Sequence, residues 1–274
     1  MKFGTIRDRI YGDFLMPSRL PVYEALLTQA LDADYTILPV ERYWGLATTG
    51  GLLPDQRYLV LRHDVDTDPA TAGVMWRLER DLGVSSSYYF RQSTLDIGLM
   101  QAMGAAGTEA SYHYEELATV ARARRPRSTE AAEALIPEAR DLFARNLTHL
   151  RAVTGLGMRV VASHGDFLNR RLDLKNAVIL EDPVVRRDLG IDLETYDDAF
   201  LDTITSYHRD LIYPGTWMHG DPFEAIARRE PIMYMLIHPR PWRVDRVGNL
   251  RDDIERLREE LAYRLPARSA DGSA

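Results

Sequence analysis

A barrel-like α/β fold is what this sequence predicts, on three observations. Segments of strand and helix character alternate along it, as parallel βα units demand. Its strongest strand candidates, Tyr58-Leu59-Val60-Leu61 and Pro231-Ile232-Met233-Tyr234-Met235-Leu236-Ile237, are unbroken apolar runs, the pattern of strands covered on both faces. The third observation is size. A chain of 274 residues, 45% of them hydrophobic and with no internal stretch rich enough in Pro, Gly or Ser to be a linker, suits one domain with one large core.

The elements are expected in this order. Residues 22–31 read as a helix with Val22, Leu26, Leu27 and Leu31 on one face, and 35–38 as a short strand. Residues 1–56 form an N-terminal addition that closes one end of the barrel proper, 57–265. Within the barrel, 58–62 is a strand and 70–82 a helix with Val74, Leu78 and Leu82 on one face. Residues 85–90 are the next strand, followed by a helix through Met100 and Met103 and a short strand at 109–112. Residues 129–153 read as one long helix that Pro137 kinks or splits. Strands are expected at 158–162, 178–180, 205–207 and 231–237, then a charged amphipathic helix at 249–263 and a disordered tail at 266–274.

Composition narrows the function. The formal net charge of −7 argues against nucleic acid as a partner, and the one basic cluster, Arg122, Arg124, Arg125 and Arg127, reads as a solvated loop before a helix start. Cysteine is absent, so any metal must be held by Asp, Glu or His. No segment has signal-peptide character and none is long enough to insert in a membrane, so the expected location is the cytoplasm. A homo-oligomer is compatible with the sequence.

The chemistry gathers where strands end. His63-Asp64-Val65-Asp66 follows the run 58–62, and Asp68-Pro69 behind it is a helix start, which leaves Asp64 and Asp66 without a capping role. Glu109-Ala110-Ser111-Tyr112 leads to His113, Val160-Val161-Ala162-Ser163 to His164, and the last apolar run to His238-Pro239. A barrel brings all these ends to one face. One carboxylate and two imidazoles there can bind a divalent ion and leave positions open for water and substrate. His149 lies within a predicted helix and reads as solvent or packing, whereas His208 and His219 fall in loops.

These residues carry a resemblance. Leu61-Arg62-His63-Asp64-Val65-Asp66 with Pro69, Ser111-Tyr112-His113-Tyr114-Glu115, Ala162-Ser163-His164-Gly165, and Leu236-Ile237-His238-Pro239 with Trp242 resemble a divergent branch of the polysaccharide deacetylase superfamily, the NodB-like carbohydrate esterases of family 4. The resemblance implies a distorted (β/α)7 TIM-like barrel and metal-dependent removal of an acyl group from an amino sugar. It makes Asp64 the catalytic base, Asp66 and His113 metal ligands, and His238 the general acid. The chain departs from the family in two places. Val65 separates two aspartates that are usually adjacent, and Leu117 stands where a second histidine ligand is usual. His164 can replace that ligand from a neighbouring strand; Glu115 and Glu116 are the other candidates.

The resulting expectation is a metal-dependent N-deacetylase of surface-polysaccharide or glycoconjugate metabolism. Its ion is zinc, with manganese, cobalt or nickel also compatible, held by Asp66, His113 and His164. Arg62 can hold Asp64 ionised, and Arg62, Tyr114, Glu115, Trp217 and Trp242 are expected on the substrate side, the aromatics as stacking surfaces for a sugar. Two other readings share the barrel: hydrolysis of another linear or cyclic amide, and a degenerate, non-catalytic barrel that binds a saccharide or a protein.

Overall fold

The structure is a computed structural model describing residue 7 and residues 10–211 and 217–264. Nine strands form one sheet: β1 (Tyr35–Leu38), β2 (Arg57–Val65), β3 (Ser87–Phe90), β4 (Glu109–Tyr114), β5 (Val160–Ser163), β6 (Leu193–Glu194), β7 (Ser206–Asp210), β8 (Trp217–Met218) and β9 (Ile232–Ile237). Eight of them lie in the order β6-β5-β4-β3-β2-β9-β7-β8, β1 pairs with β2 off this path, and every pairing except β7–β8 is parallel. Seven parallel strands thus run from β6 to β7, and those two edges do not pair among the described residues. The sheet curls around a shared interior. Tyr58 and Val60 of β2, Tyr89 of β3, Val160 and Ala162 of β5, Leu193 of β6 and Tyr234 of β9 pack in one buried cluster that Tyr43 and Phe200 complete. This is the distorted barrel expected, open along one seam.

Strand β2 is the axis of the fold. Its first half, Arg57 to Val60, pairs with β1, and its second half, Arg62 to Val65, pairs with β3 along the same edge. Residues before the barrel proper therefore supply a strand to its sheet. The strand also runs further than its apolar residues suggest. Arg62, His63 and Asp64 all lie within it and all are buried. Polar residues join a parallel ladder here because each finds partners on its own face. Strand β4 likewise runs through His113 to Tyr114.

Two other expectations change. The helix expected at 129–153 is two, Thr129–Glu133 and Ile136–Thr154. Pro137 sits in the first turn of the second, where its missing N–H costs no hydrogen bond. The apolar run 178–180 is not a strand but part of a 3₁₀ helix, Asn176–Leu180, that buries Ile179 and Leu180. Three apolar residues fit a buried helical turn as well as a strand. The tail expected at 266–274 lies outside the described residues.

Behind β2 lies a buried polar knot that the sequence did not announce. Glu79, in the helix Pro69–Asp81, accepts hydrogen bonds from Tyr23 (2.5 Å), Tyr88 (2.7 Å) and Ser86 (2.5 Å). His63 Nε2 lies 3.0 Å from the same carboxylate, and its ring stacks on Tyr88 at 4.1 Å. His63 Nδ1 donates to the Ser87 carbonyl at 3.1 Å. Burial would raise the Glu79 pKa, but His63, Ser86 and Tyr23 outweigh it and hold it below the ordinary value. A depressed carboxylate stabilises the fold above its unfolded pKa and loses that contribution as pH falls through the folded one. Glu79→Ala should therefore destabilise the fold by about 3–5 kcal/mol in urea unfolding at neutral pH, with the loss shrinking in acid. A penalty below about 1 kcal/mol would show that the knot is not a stabilising element.

Candidate active site

The C-terminal ends of the parallel strands converge on Asp66. It lies just past β2, whose end is held by Thr94 donating to the Val65 carbonyl at 2.6 Å. Behind it, Asp68 adopts a left-handed conformation (φ 56°) and caps the helix Pro69–Asp81 by accepting from Thr71 N at 2.8 Å. The chain therefore turns sharply away, and Asp66 stays over the barrel mouth.

Three imidazoles face this carboxylate. His113 Nε2 lies 3.1 Å and His164 Nε2 3.5 Å from Asp66 Oδ1, and His238 Nε2 lies 3.9 Å from Oδ2. Each ring is fixed from behind through Nδ1. His113 donates to the Ala162 carbonyl at 2.9 Å, which fixes its tautomer because a carbonyl can only accept. His164 Nδ1 is 3.1 Å from Glu115 Oε2, and His238 Nδ1 is 2.7 Å from Asp210 Oδ1. Partners behind the rings turn each Nε2 toward Asp66.

Asp66 Oδ1 is buried and has no hydrogen-bond donor. Its 3.1 Å approach to His113 Nε2 can be bridged by a proton on that nitrogen or by a divalent ion bound to both atoms. The donor set fits such an ion. Two ligands bound tetrahedrally to zinc at about 2.0–2.1 Å lie roughly 3.3 Å apart, and the two distances from Oδ1 bracket that value. Asp66, His113 and His164 offer three ligand atoms within 4.8 Å of one another. Burial would raise the Asp66 carboxyl, but His164, His113 and His238 hold it well below the usual carboxylate range.

Two groups flank this centre. Asp64 is buried and gripped by Arg62, with Nε to Oδ1 at 2.7 Å and Nη2 to Oδ2 at 2.8 Å. Its Oδ2 is 3.5 Å from His113 Nε2. Burial pushes Asp64 up, and Arg62 first, then His113 and His238, pull it below its ordinary value. On the other side, Asp210 accepts from the His238 backbone N–H (2.9 Å) and from Trp242 Nε1 (2.9 Å) as well as from the His238 ring. Burial alone would lower the His238 pKa, but Asp210, with Asp66 and Asp64, lifts it to about 9.

The structure brings together Asp64, Asp66, His113, His164 and His238. It corrects several residues expected to touch substrate. Arg62 is fully buried and bonded to Asp64, Tyr234 and Tyr196, so it positions a neighbour and offers no free donor at the surface. Tyr114 is fully buried against Phe143, because neighbours in a strand face opposite ways and His113 takes the barrel side. Trp242 is fully buried beneath Arg19 and Tyr23. None of these three presents a face to a sugar. Trp217 is half-buried against Trp242 at 5.8 Å. Glu115 is engaged twice, by Arg91 (2.8 Å) and by His164, which hold it down to about 2 against burial. Glu116 is buried, accepts from Tyr112 and Asn146, and does not reach the centre. Leu117 is core. His208 is buried between Ser206 and the Gly220 carbonyl, and His149 is exposed on its helix.

Sequence reasoning missed three residues. Asp210 ends β7, the same strand-end signal that marked the histidines. Arg91, just past β3, donates to Glu115 and to the Asp66 carbonyl at 3.1 Å. Tyr196, just past β6, is 42% exposed with its hydroxyl 3.3 Å from Arg62, so it is an aromatic that a substrate can reach.

No family model matches the sequence, and no curated protein matches it. Among solved structures the chain is similar to BA3943, a CE4 family pseudoenzyme from Bacillus anthracis, at 14% identity and a TM-score of 0.39, over 76% of this chain and 63% of that one. A mutant of that pseudoenzyme with restored enzymatic activity matches at 14% identity and a TM-score of 0.38, over 76% and 65%. A mutant of the peptidoglycan deacetylase PdaC from Bacillus subtilis matches at 12% identity and a TM-score of 0.24, over 76% and 99%. The chain thus spans less than two thirds of the length of the pseudoenzyme structures.

Proposed function

We propose that this protein is a metal-dependent hydrolase that removes the N-acetyl group of an amino sugar. One observation carries the reading: a buried carboxylate oxygen without a donor, facing two imidazole Nε2 atoms and flanked by a clamped carboxylate and a carboxylate-backed histidine. Zinc suits the donor set of Asp66, His113 and His164. A divalent ion held there would polarise the amide carbonyl and bring a water within reach of deprotonation near neutral pH.

The chain's own residues do the rest. Asp64 takes the proton of the attacking water, and Arg62 keeps it ionised and fixed in direction. His238 gives a proton from Nε2 to the departing amine, while Asp210 holds Nδ1–H and supports the charged ring. Glu115, anchored by Arg91, aims His164 from behind.

A panel of N-acetylated mono- and oligosaccharides, assayed for released acetate and free amine with stoichiometric metal present, tests the activity. Release from at least one member is expected. Release confined to cyclic or other non-sugar amides would move the substrate class and keep the centre. His238→Ala should slow the amide by about a hundredfold or more and an activated ester far less, since a good leaving group needs no proton. Equal losses on both would remove His238 from the acid's role.

A further inference from the structure

Tyr196 lies just past β6 at the barrel mouth, 42% exposed, with its hydroxyl reaching in to Arg62. A guanidinium has no lone pair to offer, so in the 3.3 Å contact with Arg62 Nη2 the phenol oxygen is the acceptor. The phenol proton is therefore left over, and among the described residues no acceptor takes it. The residue is held in place for a donor. Its backbone N–H donates to the buried Glu194 carboxylate at 2.7 Å, and the Arg62 guanidinium packs 4.8 Å from the ring centroid. Burial of the hydroxyl end outweighs the pull of Arg62 and, with Asp64, pushes the phenol up to about 12. It stays protonated across the neutral range.

The nitrogen that donates to Tyr196 also donates to Asp64 Oδ2, at 2.8 Å. The two N–H bonds of one Nη diverge by about 120°, which sets the phenol oxygen roughly 5 Å from that carboxylate oxygen. On its other side Asp64 Oδ2 is 3.5 Å from His113 Nε2, so the base stands between the ligand group and Tyr196. A water that hands its proton to Asp64 lies about 3 Å from it, and the acyl carbon under attack about 3–3.5 Å farther. A substrate so placed can bring its acyl oxygen, one bond beyond, to the free proton of Tyr196.

We propose that Tyr196 is a catalytic residue that donates its hydroxyl proton in a hydrogen bond to the acyl oxygen of the substrate as negative charge develops there. This role rests on the hydrolase activity proposed above. When water adds to the acyl carbon, the carbonyl π electrons move onto oxygen, and Tyr196 meets that charge while keeping its proton. When the amine departs, the electrons return to the carbonyl and the hydrogen bond weakens. A donor fixed in advance serves the charged transition state more than the neutral substrate. A stacking surface for a sugar is the other use of an exposed aromatic, and it needs only the ring.

Tyr196→Phe keeps the ring over Arg62 and removes the proton. On an N-acetyl substrate kcat should fall about a hundredfold, with KM little changed and the melting temperature unaltered. The N-thioacetyl analogue, whose sulfur is a weak acceptor, separates direct contact from an effect relayed through Arg62 and Asp64. Exchanging oxygen for sulfur should cost the variant about tenfold less than it costs the wild type. Equal costs, an unchanged kcat, or a change in KM alone overturn the proposal. Calorimetric titration of the zinc-loaded protein with acetohydroxamate reads the same contact without turnover, since its carbonyl oxygen stands in for the acyl oxygen. Affinity should fall about tenfold in Tyr196→Phe, and equal affinities overturn the proposal. A wild type that binds the hydroxamate more tightly than the variant but hydrolyses no acetylated sugar would keep Tyr196 as the donor and remove the sugar substrate. A wild type that does neither removes both.

Discussion

Asparagine in place of Asp64 is expected to lower turnover by about a thousandfold and leave bound metal at the wild-type level. The two effects separate because Asp64 does not belong to the donor group around Asp66 Oδ1; both its oxygens are taken by Arg62. An amide keeps an oxygen for the guanidinium and can still orient a water, but it cannot take the water's proton. Initial rates on the amide substrate, read beside elemental analysis of the same preparation, check both halves. Activity within tenfold of wild type would mean that Asp64 is not the base. Metal lost along with activity would mean that Asp64 helps to hold the ion, which its 3.5 Å approach to His113 Nε2 would then explain.

The second large effect belongs to Asp66. Asp66→Ala should reduce metal from about one ion per chain to background after dialysis, and activity should fall with it. The side chain contributes the one carboxylate oxygen in the group and is the atom on which His113 and His164 converge. His113→Ala should behave in the same way. His164→Ala tests the replacement ligand. Metal retained only in that variant would point to Glu115, freed from its histidine but still held by Arg91. Full occupancy in Asp66→Ala would remove the assignment altogether.

The sequence showed the ligands because of how parallel strands are built. Polar residues at the C-terminal end of each land at the rim; Asp66, His164 and His238 come directly after β2, β5 and β9, and His113 is the last residue but one of β4. Asp210 lies at such an end too, but β7 reads Ser-Tyr-His-Arg-Asp, without an apolar run to mark it as a strand. Its pairing with His238 is set only by the adjacency of β7 and β9 in the sheet. Strand β6 is two residues long and carries no periodic signal, so Tyr196 could not be placed beside Arg62. Tyr114 was within reach of simple reasoning, because a period of two already sets it opposite His113. Trp242 was not, since an aromatic after a strand fits the rim and the core equally well.

The alternation along β2 has a further consequence. Arg62 and Asp64 look into the barrel, and His63 looks out to Tyr23 and Glu79. Both sets are charged or strongly polar, and each has partners on one side only. If β2 slid by a single residue against β3 or β9, His63 would leave Glu79 for the lumen, and Arg62 and Asp64 would leave Tyr234, Tyr196 and the barrel mouth for the outer face. Apolar strands tolerate such slippage because one aliphatic face resembles another; this one does not. The motif that gathers the chemistry is thus also an address. It tells the central strand of the sheet where to stop, and a substitution there puts correct assembly at risk before any reaction is attempted.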